Sequence, residues 1–134
     1  GMMVSTDALP AINTSIPTNP NVAGTFSRVL GYYVRERNLL TLPQALAKLS
    51  LYQAQWMEQA SPAFKKKGRI QLGADADIVM FNPQTVVANA VYGDPYLKPT
   101  GIVHVLVAGQ AVVKNSKPVK GPLPGKKLLG LIKK

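Results

Sequence analysis

The hydrophobic pattern of this chain changes its period once, near Gly68, and the change divides the sequence into two kinds of structure. Before it, apolar residues recur at the three- and four-residue spacing of amphipathic helices. After it, they stand in short runs of strand length. Helices followed by a few strands predict an α+β fold, or fragments of two larger units joined in series. So few strands leave open sheet edges, which a partner chain or a further segment should cover.

The first predicted helix covers residues 25–38. Its apolar residues share one stripe, and the hydroxyl of Thr25 is a candidate N-cap because it can accept a hydrogen bond from a free backbone N–H. Asn38 is the predicted end. The preceding residues are rich in proline and short polar side chains, which predicts a loop.

The second predicted helix begins at Thr41 and runs to about residue 60, with a break near Ser50. Thr41 and Gln44 have the spacing of a capping box, with Pro43 in the first turn, where its missing N–H costs nothing. One face of this helix carries the residues expected in the core, which are Ala45, Leu46, Leu49, Tyr52 and Trp56.

Beyond Gly68 the strand-length runs are residues 69–72, 77–81, 102–107 and 111–113. The tight turn 108–110 predicts that the last two form a hairpin.

The net charge at pH 7 is +10, and seven of the lysines lie between Lys114 and the end of the chain. Two interpretations stay open: a solvated tail that maintains solubility, or a site for phosphates or anionic lipid headgroups. No aromatic side chains alternate with these lysines, which disfavours specific nucleic-acid binding. We expect no membrane span, because no apolar stretch approaches about 18 residues. The start shows no signal-peptide pattern, which leaves the compartment open and slightly favours the cytoplasm.

Several segments, in this order and spacing, resemble the end of D-aminoacylases (N-acyl-D-amino-acid deacylases) of the amidohydrolase superfamily. They are GTFSRVLG at 24–31, LTLPQA at 40–45, GADADIVMFNP at 73–83 and VLVAGQ at 105–110. The resemblance extends from about residue 3 to about residue 129.

The resemblance implies a metal-dependent (β/α) barrel flanked by a β-sandwich that is built from both chain ends. A whole barrel needs roughly 250 residues, so this chain can supply only its end. Residues 2–62 are expected to form the last strand end, a loop and the last helices of an incomplete barrel. Residues 63–114 are expected to give the C-terminal strands of the sandwich, and residues 115–134 a basic tail.

The resemblance also assigns a site residue, Asp7. The run Val4-Ser5-Thr6-Asp7 matches the family's aspartate at the mouth of the barrel, a metal and proton-shuttle position in an enzyme expected to hold zinc at full length. A carboxylate beside a metal-bound water can accept its proton and pass it to the leaving amine. From the residues alone, the favoured interpretation of Asp7 is a loop aspartate that makes an Asx-turn before Pro10. The family's His-Pro pair is replaced by Asn19-Pro20, which puts substrate contacts from that loop in doubt.

The donor set of the chain excludes a complete metal site. Cysteine is absent and His104 is the one histidine, whereas a catalytic zinc needs about three protein ligands. We therefore expect no cofactor in this chain and no metal held by it in isolation. His104 is predicted to be a strand residue. Asp75 and Asp77 flank a turn and are predicted to be structural rather than an acid–base pair.

Together these observations predict the C-terminal part, or a truncated homologue, of an amidohydrolase that cleaves non-peptide C–N bonds such as the amide of N-acyl-D-amino acids. The isolated chain is expected to be inactive. Two alternatives remain: a non-catalytic module that oligomerises through its open sheet edges, and an anion-binding protein that uses its lysine-rich tail. The expected partner is a second copy of the chain or an N-terminal chain that carries the barrel.

Overall fold

The computed structural model describes residues 2–8, 19–121 and 123–130. Its first helix, α1, covers Asn21–Arg28 and continues as a π-helix over Val29–Glu36. The predicted start at Thr25 is wrong by one turn. The side chain of Asn19 accepts the Asn21 N–H at 2.9 Å, and the Thr25 hydroxyl instead donates to the Asn21 carbonyl. The predicted end is confirmed, because Asn38 adopts the left-handed conformation, with φ of 52°, that commonly follows a helix.

The capping box at the second helix is confirmed. The Gln44 side chain accepts the Thr41 N–H at 2.9 Å, and the Thr41 hydroxyl accepts the Gln44 N–H at 3.4 Å. Helix α2 covers Leu42–Leu46, a π-helical turn covers Ala47–Leu51, and α3 covers Tyr52–Met57. A short 3-10 helix follows at Pro62–Lys66, so Pro62 begins a new element after the predicted helix has ended.

Among the described residues, four strands form one sheet in the order β1-β2-β3-β4. The strands are β1 (Ile78–Phe81), β2 (Ile102–Val107), β3 (Gln110–Lys114) and β4 (Lys117–Pro118). The predicted hairpin is confirmed, with β2 antiparallel to β3 and Val107 opposite Gln110. Both residues of its turn, Ala108 and Gly109, have positive φ, as a two-residue hairpin turn requires. The α+β class is therefore confirmed.

One predicted strand is wrong. Residues 69–72 form no strand, and the side chain of Ile70 is 89% exposed. The alternating pattern is present, but alternation alone makes a strand only where a neighbour can pair with it. Within residues 19–121 none does, and a turn closed by the Ala74 N–H and the Gln71 carbonyl follows instead.

The chain divides into two compact units. One contains Gly1–Met3, Leu46–Met80 and Val103–Lys134, and the other contains Val4–Ala45 and Phe81–Ile102. The three-part division 2–62, 63–114 and 115–134 stays a prediction.

The buried apolar set among the described residues is small. It consists of Val29, Leu30, Ala45, Ala54 and Val86. The predicted core face of the second helix is buried only in part, since Ala45 is buried whereas Tyr52 and Trp56 are exposed. Aromatic side chains as large as these are usually buried to a large extent. Their exposure leaves apolar surface uncovered in the described part of the chain.

Candidate functional site

The candidate catalytic residue Asp7 lies in the segment 2–8, next to the half-buried Thr6. Its side chain is exposed, and the described residues provide no hydrogen bond or ion pair to its carboxylate. Its backbone has φ of 45°, in the left-handed region that aspartate tolerates better than most residues. Such conformations cost of order 1 kcal/mol and cluster at active sites and ligand clamps. Within the described residues, Asp7 thus presents an unpaired carboxylate on a left-handed backbone.

The residues around Asp7 do not fit a metal site by themselves. Across residues 2–8, 19–121 and 123–130, no group of three or more histidine, cysteine, aspartate or glutamate side chains could hold a metal ion. His104 lies in β2, half-buried, where its Nδ1 accepts the Asn115 N–H at 3.4 Å. This is the position expected for a strand histidine.

The two carboxylates that flank the turn before β1 belong to a structural cluster around Lys67. The Lys67 ammonium lies 3.0 Å from the Asp75 carboxylate and also pairs with Asp77. The other Asp77 oxygen accepts the Ala108 N–H at 2.8 Å. The cluster therefore joins the turn before β1 to the turn of the β2–β3 hairpin.

The electrostatics of this cluster follow from its hydrogen bonds. The Ala108 N–H, and then the Lys67 ammonium, hold the pKa of Asp77 below its ordinary value, because both stabilise the carboxylate. The bond to Asp77 raises the pKa of Lys67, against the opposing effect of its partial desolvation. Both groups are thus held in their charged forms at neutral pH. Such an arrangement is suited to fixing a turn rather than to exchanging protons.

Sequence reasoning missed Arg35, which bridges the first helix to a loop. Its Nη1 donates to the Val86 carbonyl at 2.7 Å and to the Pro83 carbonyl at 3.2 Å. Val86 is fully buried, so this charged hydrogen bond satisfies a carbonyl that would otherwise lose its contact with water. A helical arginine gives no sequence signal for such a long-range bond.

The lysine-rich tail is exposed where the structure describes it, at Lys114, Lys117, Lys120, Lys126 and Lys127. In the described part of the chain none of these lysines forms an ion pair. Lys133 and Lys134 lie outside the described residues. The Ser61 hydroxyl donates to the Leu129 carbonyl at 2.8 Å and so attaches the tail near the 3-10 helix. No described helix is long and apolar enough to cross a membrane.

Along the chain, the left-handed Asp7 is followed by two helical segments and then by the antiparallel sheet. A model of the amidohydrolase family matches residues 3–113. The chain therefore belongs to the amidohydrolase family.

Within that family, N-acyl-D-glutamate deacylase of Alcaligenes xylosoxydans xylosoxydans is 42% identical over 120 residues, which cover 90% of this chain and 23% of the relative. D-aminoacylase of the same organism is 36% identical over 110 residues, 82% of this chain and 21% of that protein. The chain thus spans about a fifth of the length of the relatives it matches.

Solved structures agree with this assignment. The crystal structure of D-aminoacylase superposes with a TM-score of 0.70 at 33% identity over 78% of this chain and 21% of that chain. N-acyl-D-glutamate deacylase from Bordetella bronchiseptica, solved with zinc and a phosphonate inhibitor, superposes with a TM-score of 0.66 at 39% identity. That match covers 76% of this chain and 21% of the other. The helices and sheet are therefore those of the D-aminoacylase group.

Proposed function

We propose that this chain forms the C-terminal part of an enzyme that hydrolyses the amide bond of N-acyl-D-amino acids. The observation that carries the proposal is the 42% identity to an N-acyl-D-glutamate deacylase over nearly the whole chain, within a family match that begins at residue 3.

Asp7 is the residue proposed to take part in the chemistry. Its carboxylate accepts the proton of the attacking water and delivers it to the nitrogen of the departing amine, so that one group serves both halves of the hydrolysis. Its exposure and its freedom from ion pairs within the described residues support this assignment, because a proton shuttle must reach both water and substrate.

The chain is proposed to be inactive alone because its own donors do not assemble a metal site. In a complete enzyme, the zinc ligands other than Asp7 would come from the four-fifths of the fold that this chain does not span. There the metal supplies electrostatic stabilisation of the reacting oxygen. Metal analysis of the purified chain should therefore find no stoichiometric zinc, and one tightly bound zinc per chain would contradict the proposal.

The direct test is a chimera in which this chain replaces the matching C-terminal fifth of the Alcaligenes N-acyl-D-glutamate deacylase. The chimera should hydrolyse an N-acyl-D-amino acid, and Asp7→Asn should lower its kcat by about 100-fold or more, as the loss of a general base does. Asp94→Asn is the matched control, because Asp94 is also exposed and lies in the same compact unit. Thermal unfolding should stay unchanged in both variants, and the zinc content should stay unchanged in Asp94→Asn. Full activity of the Asp7→Asn chimera would refute the role of Asp7.

A second candidate function rests on the lysine-rich tail. Its described lysines are exposed and form no ion pairs within residues 19–121 and 123–130, so they are available to an anionic surface. Retention on anionic vesicles at low salt, lost when residues 115–134 are deleted, would support this candidate. No retention by the intact chain would exclude it.

A further inference from the structure

Positive charge is concentrated in one of the two compact units. Among its described residues, the unit that contains Leu46–Met80 and Val103–Lys134 carries ten lysine and arginine side chains and three acidic ones. The described residues of the other unit carry four basic and three acidic side chains. The described residues therefore give the first unit a charge of +7 and the second a charge of +1, so an anionic partner is attracted to the first.

The acidic side chains of the first unit leave most of its lysines uncompensated. Asp75 and Asp77 both pair with Lys67, and Glu58 pairs with Arg69. The lysines of this unit that are exposed and form no ion pair with a described residue are Lys65, Lys66, Lys114, Lys117, Lys120, Lys126 and Lys127. Their charge faces water, so salt alone weakens its attraction for an anionic surface.

The tail is attached to the fold beside two of these lysines. Ser61 is 3% exposed, and its hydroxyl donates to the Leu129 carbonyl at 2.8 Å. The 3-10 helix that carries Lys65 and Lys66 begins at the next residue. From the rise per residue, the backbones of Lys65 and Lys127 are at most about 25 Å apart. The two adjacent lysine pairs, 65–66 and 126–127, are therefore neighbours in the folded unit.

Exposed apolar side chains alternate with the tail lysines. Leu123 is 90% exposed and Leu129 is 68% exposed. A phosphate backbone offers such side chains no apolar contact, whereas the boundary between headgroups and acyl chains of a bilayer can bury them. Residues 114–134 include no aromatic side chain on which bases could stack. Lysines interspersed with exposed leucines therefore fit an anionic lipid surface better than a nucleic acid.

We infer that this unit docks on the anionic face of a lipid bilayer through one basic surface, which consists of Lys65, Lys66, Leu123, Lys126, Lys127 and Leu129. The ammonium groups attract the headgroups, and the leucines enter the acyl-chain boundary. The inference rests on the second candidate function, to which it adds the lipid as partner and the 3-10 helix as part of the surface. The family match ends at residue 113, so the tail part of this surface is additional to the matched fold.

Flotation with lipid vesicles tests the docking on the intact chain. Neutral vesicles consist of phosphatidylcholine, and anionic vesicles contain phosphatidylcholine and phosphatidylglycerol at a ratio of about two to one. At about 50 mM salt, the chain should bind the anionic vesicles at least about tenfold more tightly, and about 0.5 M salt should release it. Equal affinity for the two kinds of vesicle, or no binding to either, would overturn the inference.

Matched substitutions test the surface residue by residue. Lys66→Gln should weaken binding to anionic vesicles about fivefold, and Lys126→Gln with Lys127→Gln about 30-fold, as expected for lysines that lie near an anionic membrane. Lys98→Gln is the control, because Lys98 is also exposed, forms no ion pair with a described residue and lies in the other unit. It should leave binding unchanged. An equal loss for Lys66→Gln and Lys98→Gln would show that net charge alone drives binding and would overturn the docking surface.

Leu123→Asn distinguishes a bilayer from other anions. Because Leu123 is 90% exposed, the substitution should leave the urea midpoint unchanged. It should weaken binding to anionic vesicles about tenfold, as the loss of a buried leucine does. Tighter binding to single-stranded RNA than to the vesicles would identify a nucleic acid as the partner. Release from the vesicles by millimolar inorganic phosphate at constant ionic strength would identify a free phosphate. Either result would overturn the inference.

The outcomes separate this inference from both proposed functions. Vesicle binding that depends on Lys126 and Lys127 but not on Lys66 or Leu123 would support the tail as an anion site and overturn the surface inferred here. The deacylase activity of the chimera is measured without vesicles. An inactive chimera would therefore refute the hydrolytic function alone, and loss of vesicle binding would leave that function standing.

Discussion

Gly68 occupies a position where any side chain would meet Ala54, the buried residue of helix α3, and its replacement gives a sharp test of the packing. Gly68 has φ of 70°, and a Cβ added there would lie 2.8 Å from the Ala54 Cβ and 2.9 Å from the Ser50 carbonyl oxygen. Carbon atoms in ordinary contact are about 3.5 Å apart or more, so the overlap is about 0.7 Å. Ala54 is 4% exposed and its Cβ cannot rotate away.

Gly73 provides the control, since it has φ of 80° but no heavy atom within 4 Å of an added Cβ. Each substitution costs about 1–2 kcal/mol, because alanine is strained in the left-handed backbone conformation. Each substitution also adds about 0.4–1 kcal/mol of stability, because alanine lowers the conformational entropy of the unfolded chain relative to glycine. The clash at Gly68 adds about 1–3 kcal/mol, as overpacking of a core does. We expect a loss of about 1 kcal/mol for Gly73→Ala and about 3 kcal/mol for Gly68→Ala.

Urea denaturation followed by circular dichroism measures both losses. With a slope of about 2 kcal/mol per molar urea, the two midpoints should differ by about 1 M. A double-mutant cycle with Ala54→Gly isolates the contact, because removal of the Ala54 methyl should recover part of the loss at Gly68 and none at Gly73. Equal losses for the two glycine variants, or no coupling to Ala54, would refute the packing argument.

Two further predictions concern the turn cluster and the helix start. Because the pKa of Asp77 is lower in the folded state, its carboxylate stabilises the fold at pH values above its unfolded pKa. This stabilisation is lost as the pH falls through the folded pKa. Asp77→Asn should therefore weaken the dependence of the unfolding free energy on acid pH. Urea midpoints at a series of pH values below neutrality would check this, and an unchanged dependence would contradict it. Thr41→Ala should cost about 1 kcal/mol by removing the cap of α2, whereas Thr41→Ser should retain most of the stability. If Thr41→Ser and Thr41→Ala lower the thermal or urea unfolding midpoint equally, loss of the cap does not explain the destabilisation.

The parts of the fold that sequence reasoning predicted are those set by neighbours along the chain. The capping box at Thr41 depends on two residues three positions apart, and the β2–β3 hairpin depends on a two-residue turn between apolar runs. The predicted start of the first helix was wrong because Thr25 is a chemically acceptable cap, and only the structure shows that the helix begins at Asn21, whose N–H donates to the Asn19 side chain.

Sequence reasoning likewise predicted some features of the candidate site and missed others. Asp7 was found by its resemblance to a family pattern, and its catalytic role stays a prediction. The bond from Arg35 to the Val86 carbonyl was missed, since it joins residues 51 positions apart in sequence. The exposed positions of Trp56 and Tyr52 were also missed, because a helical stripe predicts which residues share a face but not whether a layer covers that face.

The sequence by itself determined the order of helices and strands, the hairpin turn, the shortage of metal ligands and the family resemblance, because each depends on residue identity or on neighbours along the chain. Tertiary structure alone decided that residues 69–72 form no strand, that Lys67 joins two turns, and that β1 and β4 are the outer strands of the described sheet. These features depend on which segments meet in space, and a residue pattern cannot specify a neighbour that lies far away along the chain.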